Sequence, residues 1–259
     1  MSDLAAASWP YREPAVYDAL TADPAGDRAA RILAVLDHHR PARPRSLLDV
    51  GCATGHTLAG LAAAIDDLVG VDLLAGLVAL ARATRPHLDV RRADMTALAL
   101  GRTFEAITCL GYTINYPDAA GAGATLRRLA AHAAPGATLI VEAMAGTPPL
   151  DRSTVHRVEV AGVAGTATVT HRRAGPWLVT ERRWCFPGDP PRVEVDRLRR
   201  RPVPAVDWPD MLAAAGWRPL LVSVDGIGAT PPDGTALVVA ARARGVGADC
   251  AAGGVRPTE

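Results

Sequence analysis

The sequence predicts an α/β protein: a doubly wound, mostly parallel seven-stranded sheet with a reversed last strand and an antiparallel β insertion. Three observations predict it. Short apolar runs alternate with segments of helical period between residues 46 and 143, the pattern of βαβ units. Beyond residue 150 the pattern changes to long, charged stretches of period two, which suits antiparallel strands with one wet face. Near the end, two strand-like runs are joined by a link too short for a crossover helix, so they must pair as a hairpin.

Bulk properties narrow the class. A chain of 259 residues, 49% hydrophobic and with a formal net charge of +1, can bury a core without staples, and no apolar run is long enough to cross a bilayer. The opening Met1-Ser2-Asp3-Leu4 shows no basic, apolar and cleavable leader, so a cytoplasmic location is expected. Cys52, Cys109, Cys185 and Cys250 lie far apart with no CxxC pairing, which argues against a zinc site and a disulfide framework. No metal is expected. Every strongly basic side chain is arginine, with no lysine; beside the abundant Ala, Gly and Pro this reads as coding bias, so only arginine clustering informs.

In chain order, residues 1–44 are expected to form an N-terminal helical lid, with one amphipathic helix over Asp27 to His39. Trp9, Tyr11 and Tyr17 precede that helix and can fold over the mouth of a site. The core follows over 45–150, with strands at Ser46–Val50, Leu68–Val71, Leu88–Arg92, Phe104–Cys109 and Ala137–Ala143 and helices at 55–65, 73–84 and 122–134. Residues 151–206 form the insertion, a substrate or dimer face, with strands at 154–162, 165–172, 177–186 and 191–199. Residues 207–244 return to the core: a helix with Asp207 as N-cap and Pro209 in its first turn, then strands Pro219–Val224 and Thr235–Ala241 around the link 225–234. The tail 245–259 has little to pack and is expected to be disordered.

The chemistry concentrates at Asp49-Val50-Gly51-Cys52-Ala53-Thr54-Gly55. A strand running into a small-residue turn and then a helix offers free backbone donors at the carboxyl edge of the sheet, a nucleotide site. A GxGxxG turn starting at Gly51 would need glycines where Ala53 and His56 stand, which disfavours NAD and FAD, and a P-loop needs a lysine. Asp49 suits a ligand with a positive amino group, such as the methionine end of S-adenosylmethionine. Asp72 ends the second strand at the separation that lets a carboxylate bind both ribose hydroxyls. Asp94-Met95 ends the third, where an adenine amino group can be bonded and one ring face covered.

These motifs resemble those of class I S-adenosylmethionine-dependent methyltransferases, which are Rossmann-like. The stretch Asp49–Gly55 is similar to their first motif, Asp72 to the ribose acid, Asp94-Met95 to the adenine motif and Phe104–Tyr112 to the fourth strand. Ala53 departs from the glycine usual there. If that residue needs positive φ, alanine costs on the order of 1 kcal/mol. The layout is also loosely similar to bacterial N-methyltransferases of nucleotide-linked amino sugars, through Tyr17-Asp18, Thr108-Cys109-Leu110 and the segment 154–199, while Gly111–Asn115 differs from the serine-rich stretch typical there.

The resemblance implies a cofactor set of Tyr17, Asp49, Gly51, Cys52, Ala53, Gly55, Asp72, Leu73, Asp94, Met95 and Cys109. Tyr112, Asn115 and Tyr116 follow the fourth strand, where a plain loop needs no such polar and aromatic residues, and with Tyr17 they form the expected catalytic set. The cysteines read as packing residues, not nucleophiles, and His56 through its backbone. The insertion holds arginines in excess of acids, and Arg172-Arg173, Arg182-Arg183 and Arg199–Arg201 would suit an anionic substrate. Near-neutral charge argues against nucleic acid. The expected partner is thus a small molecule, with a homodimer as the other use of the insertion. Expected activity is methylation of an amine on a natural-product or nucleotide-sugar metabolite; a cyclase or lyase consuming the sulfonium, an O-methyltransferase and a noncatalytic sensor are the alternatives.

Overall fold

A computed structural model describes residues 8–223 and 234–242. Two short helices open the described chain, α1 (Trp9–Arg12) and α2 (Pro14–Leu20), followed by α3 (Asp27–His39). The core then runs β1 (Ser46–Val50), α4 (His56–Leu61), β2 (Asp67–Asp72), α5 (Ala75–Thr84), β3 (Asp89–Arg92), β4 (Phe104–Cys109), α6 (Ala119–Ala131) and β5 (Ala133–Met144). Four strands follow, β6 (Ser153–Val160), β7 (Val163–Ala174), β8 (Trp177–Phe186) and β9 (Arg192–Arg200), before α7 (Trp208–Ala214), β10 (Trp217–Ser223) and β11 (Thr235–Arg242).

The large sheet has the order β10-β11-β5-β4-β1-β2-β3, and β11 runs antiparallel to both neighbours. The insertion is a separate antiparallel sheet of order β6-β7-β8-β9. The expected fold class is therefore observed, reversed strand included. Strand alternation splits the core into two layers. Leu48 and Val50 face α6 and α7 in a cluster with Leu126, Leu212 and Trp208, while Leu47 faces α3 and α4 with Ile32, Leu36 and Leu58. Asp49 shares the face of Leu47, which is why α3 can reach it.

Several boundaries differ from the expectation. Helix α4 ends at Leu61 because Ala62 and Ala64 bond back three residues and not four. Asp207 precedes α7 but makes no side-chain cap, since a 3₁₀ turn, Ala205–Asp207, leads straight into the helix and leaves Asp207 with helical dihedrals. Helices α1 and α2 were not expected; each starts with proline in its first turn, where the missing donor costs nothing. Cys250, the tail and nearly all of the 225–234 link lie outside the described residues.

The N-terminal segment is tied to the insertion by a third apolar cluster. Trp9 packs edge-on against Trp184 and Phe186, with ring centroids 5.3 and 5.7 Å away. Beneath it Asp196, buried, accepts from the Trp9 backbone (3.0 Å), from Trp184 Nε1 (3.0 Å) and from Arg182 Nε and Nη2 (2.8 and 3.1 Å). An acid so enclosed is tolerated because donors meet both of its oxygens.

Candidate cofactor and acceptor site

The carboxyl ends of β1, β2 and β4 and the helices α2 and α3 enclose a cavity of about 360 Å³. Its floor is the turn after β1. Gly51 has φ +80°, and a Cβ there would lie 2.5 Å from Thr113 Oγ1, so only glycine fits. Ala53 does occupy the left-handed region, at φ 49°, and its amide donates to Asp72 Oδ2 at 2.9 Å. Asp72 Oδ1 accepts from the Leu74 amide, also at 2.9 Å, so this acid braces two turns at once. Burial raises its pKa, partly offset by those backbone donors.

Asp49 is the most enclosed acid of the site. It accepts from Thr108 Oγ1 at 2.8 Å, and burial pushes its pKa up to about 6, with the Thr108 bond and the charge of Arg28 opposing that shift. Arg28 and Arg31, one turn apart on α3, also line the cavity. The buried Arg31 Nε has no hydrogen-bond partner among the described residues. Toward β2 and β3 the wall turns apolar, with Leu73, Leu74, Leu77, Ala93 and Met95.

Of the expected site residues, Tyr17, Asp49, Gly51, Cys52, Ala53, Asp72, Leu73, Met95 and Tyr116 line this one cavity. Tyr112, Asn115, Gly55, Asp94 and Cys109 do not, and each has a structural occupation. Asn115 is fully buried: its Nδ2 donates to the carbonyls of Met144 and Arg201, and its Oδ1 accepts from the Met144 amide. Tyr112 hydrogen-bonds Thr235 at 2.7 Å. Asp94 Oδ1 caps its own 3₁₀ turn, accepting from the Thr96 amide and hydroxyl. Cys109 faces the α6 layer of the core, and Gly55, at φ +87°, serves as the N-cap of α4. Burial drives the thiols of Cys52 and Cys109 upward, so neither is a nucleophile at neutral pH.

Tyr11, expected only as part of a cover, lines the cavity, and sequence reasoning passed over Thr21, Arg28, Arg31 and Glu142, which line it too. The i, i+3 spacing of Arg28 and Arg31 beside the apolar stripe of α3 was a usable signal. So was Glu142, an acid near the end of an otherwise apolar strand; its Oε2 accepts from the Gly111 amide at 2.9 Å. The ring of His56 has a role that its backbone-only expectation missed: Nε2 lies 2.9 Å from Asp18, which also pairs with Arg85 at 3.1 Å. Most arginines expected to await an anion are engaged, Arg182 with Asp196, Arg172 with Asp151 and Arg173 with Thr147, while Arg199 stacks on Trp177.

The donor set fits S-adenosylmethionine. An acid beside two cations, one with an idle buried nitrogen, matches an amino-acid zwitterion, while Asp72 and an apolar wall match a nucleoside. Such a sheet edge with such a site defines the class I S-adenosylmethionine-binding proteins of Rossmann-like build. Residues 47–136 match the family model described as "Methyltransferase domain". The chain is 35% identical over 164 residues to dTDP-3-amino-3,6-dideoxy-alpha-D-glucopyranose N,N-dimethyltransferase of Streptomyces fradiae, covering 57% of this chain and 64% of the relative. The chain spans about half to two thirds of the lengths of the curated relatives it matches, 64%, 55% and 52%. Among solved structures, it is similar to an amino pentose methyltransferase of Micromonospora echinaspora with S-adenosylmethionine bound, at 27% identity and TM-score 0.75, covering 85% of this chain and 92% of that one. A sugar N-methyltransferase of a Streptoalloteichus species matches at 29% identity and TM-score 0.72, over 84% and 87% of the two chains.

Proposed function

We propose that this chain is an S-adenosylmethionine-dependent methyltransferase that acts on an amine of a small metabolite, with nucleotide-linked amino sugars as the first class to test. Asp49, Arg28 and Arg31 would hold the amino-acid end of the cofactor, Asp72 the ribose, and Met95 with Leu73 and Leu77 the base. Bound there, the cofactor supplies a methyl group already activated on a sulfonium. The protein's remaining tasks are to align a nucleophile, exclude water and receive one proton. Tyr11, Tyr17 and Thr21 close the cavity from the N-terminal segment and keep water out.

One observation carries the preference for an amine: the proton acceptors lining the cavity among the described residues are carboxylates and the ion-paired His56, weak bases that take a proton from an ammonium product far more readily than from a hydroxyl. His56 is held between Asp18 and Arg85. Burial raises the pKa of Tyr11 and Tyr17, so both phenols stay protonated at neutral pH and donate without abstracting. A neutral amine needs no base to attack, and sheds its proton only after the N–C bond forms. Glu142, fixed by the Gly111 amide, is the carboxylate placed to take it.

The test is turnover with methyl-labelled cofactor and a panel of nucleotide-linked amino sugars, free amino sugars, amino acids and phenols. Label is expected on amine nitrogen, most rapidly with an amino sugar. Transfer only to a phenol or a carboxylate would overturn the amine assignment.

A further inference from the structure

Arg200 stands apart from the other arginines of the insertion. It is half-buried at the end of β9, forms no ion pair among the described residues, and its buried Nε has no hydrogen-bond partner there. Its guanidinium lies over two aromatic rings, 5.0 Å from the Tyr116 centroid and 5.7 Å from that of Tyr112. Nη2 donates to the Tyr116 hydroxyl at 2.7 Å, and that hydroxyl lies 2.6 Å from the hydroxyl of Tyr11. Tyr11 and Tyr116 both line the cavity.

The cation fixes the direction at one end of this chain. A guanidinium has no acceptor, so Tyr116 oxygen must receive from Arg200. Two phenols carry two hydrogens and only one can lie between their oxygens; where Tyr116 supplies it, the Tyr11 hydrogen is the one left over. Tyr11 then keeps one hydrogen, and the phenol's in-plane geometry turns it away from Tyr116. No described residue accepts it.

We propose that Arg200 and Tyr116 fix the Tyr11 hydroxyl as a hydrogen-bond donor into the cavity, and that this donor selects acceptor substrates carrying a hydroxyl oxygen close to the amine. The inference rests on the amine reading above and adds a specificity determinant to it. The partner is an oxygen and not the attacking nitrogen, because a nitrogen lone pair held in a hydrogen bond is not available for attack. It belongs to the acceptor and not to the nucleoside, because the sheet order β4-β1-β2-β3 puts Tyr116, which follows β4, on the opposite side of β1 from Asp72 and Met95. Arg200 is a positioning residue, acting through Tyr116.

Calorimetry on the full chain with S-adenosylhomocysteine present tests this without requiring turnover. The probes are cyclohexylamine and aminocyclohexanols whose hydroxyl sits on the first or second carbon from the amine. The wild type is expected to bind one of the aminocyclohexanols at least tenfold more tightly than cyclohexylamine. That preference should vanish in Tyr11→Phe, Tyr116→Phe and Arg200→Gln and persist in Arg200→Lys, which still donates to Tyr116. Tyr116→Phe keeps the ring under the guanidinium and serves if Arg200→Gln does not fold. Equal binding of the probes by the wild type, or binding of none, overturns the proposal. So does a loss of S-adenosylhomocysteine affinity in Tyr11→Phe that matches the loss for the aminocyclohexanol, since Tyr11 would then serve the cofactor. Absence of label on any amine in the turnover assay is a separate result and overturns only the amine reading.

Discussion

Asp49 is held where a carboxylate is costly, and that cost makes its role measurable. Its folded pKa of about 6 lies above the usual 3.8, so the native state retains a proton that the unfolded chain has released. Stability therefore falls as pH rises from about 4 to 6, by a limit of roughly 3 kcal/mol. Asp49→Asn removes this dependence and is expected to raise the melting temperature of the cofactor-free protein at pH 7. A cationic amino group beside Asp49 favours its ionised form, so wild-type affinity for S-adenosylmethionine should decline as pH drops below about 6. In Asp49→Asn the affinity should be weaker and flat across that range, which calorimetry can follow. Ala53 offers a second residue-scale test. At φ 49° it pays the left-handed penalty, and Ala53→Gly is expected to stabilise the fold by up to about 1 kcal/mol in urea titration; a destabilised variant would contradict the strain. Asp49, Asp72 and Met95 were legible in the sequence because a residue at or just past a parallel strand's carboxyl end reaches the site by local geometry alone. Asn115 and Tyr112 had the same local setting. Their side chains are claimed by Met144, Arg201 and Thr235, far along the chain, which no local pattern reveals.

At the scale of elements, α1 and α2 form a strap whose two ends are fastened differently. At the α1 end Trp9 is locked into the insertion by the buried Asp196 and by Trp184 and Phe186. At the α2 end Asp18 joins His56 at the start of α4 and Arg85 just beyond α5, a half-buried ion cluster of modest strength. Since Tyr11, Tyr17 and Thr21 of this strap line the cavity, cofactor exchange is expected to require the α2 end to lift. Asp18→Asn should then speed dissociation of S-adenosylmethionine several-fold in stopped-flow fluorescence, with little change in melting temperature. An unaltered off-rate would mean that the cofactor leaves by another path. The sequence placed aromatic residues before α3 and suggested a cover for the site. It did not reveal α1 and α2, because four- and seven-residue helices carry too few turns for a periodic signal and are held by tertiary contacts.

At the scale of the whole molecule, a cofactor-binding sheet and an arginine-bearing sheet meet at one cavity through Tyr116 and Arg200. The large sheet was readable because each βα unit carries its own period and turn residues, and the final hairpin because its link excludes a crossover. The meeting of the two sheets was not readable. It depends on pairs such as Trp9 with Asp196 and Tyr11 with Tyr116, separated by 187 and 105 positions. The arginine surplus of the insertion was visible, yet only the fold separates the neutralised Arg182 from Arg200, which forms no ion pair among the described residues. The central claim is that this cavity delivers the methyl of S-adenosylmethionine to an amine, and a single-turnover experiment with methyl-labelled cofactor addresses it directly. With an amino-sugar acceptor present, mass spectrometry should find the label on the acceptor nitrogen, together with an equal amount of S-adenosylhomocysteine. Release of methylthioadenosine without any acceptor, or cofactor binding with no turnover on any amine, would contradict it.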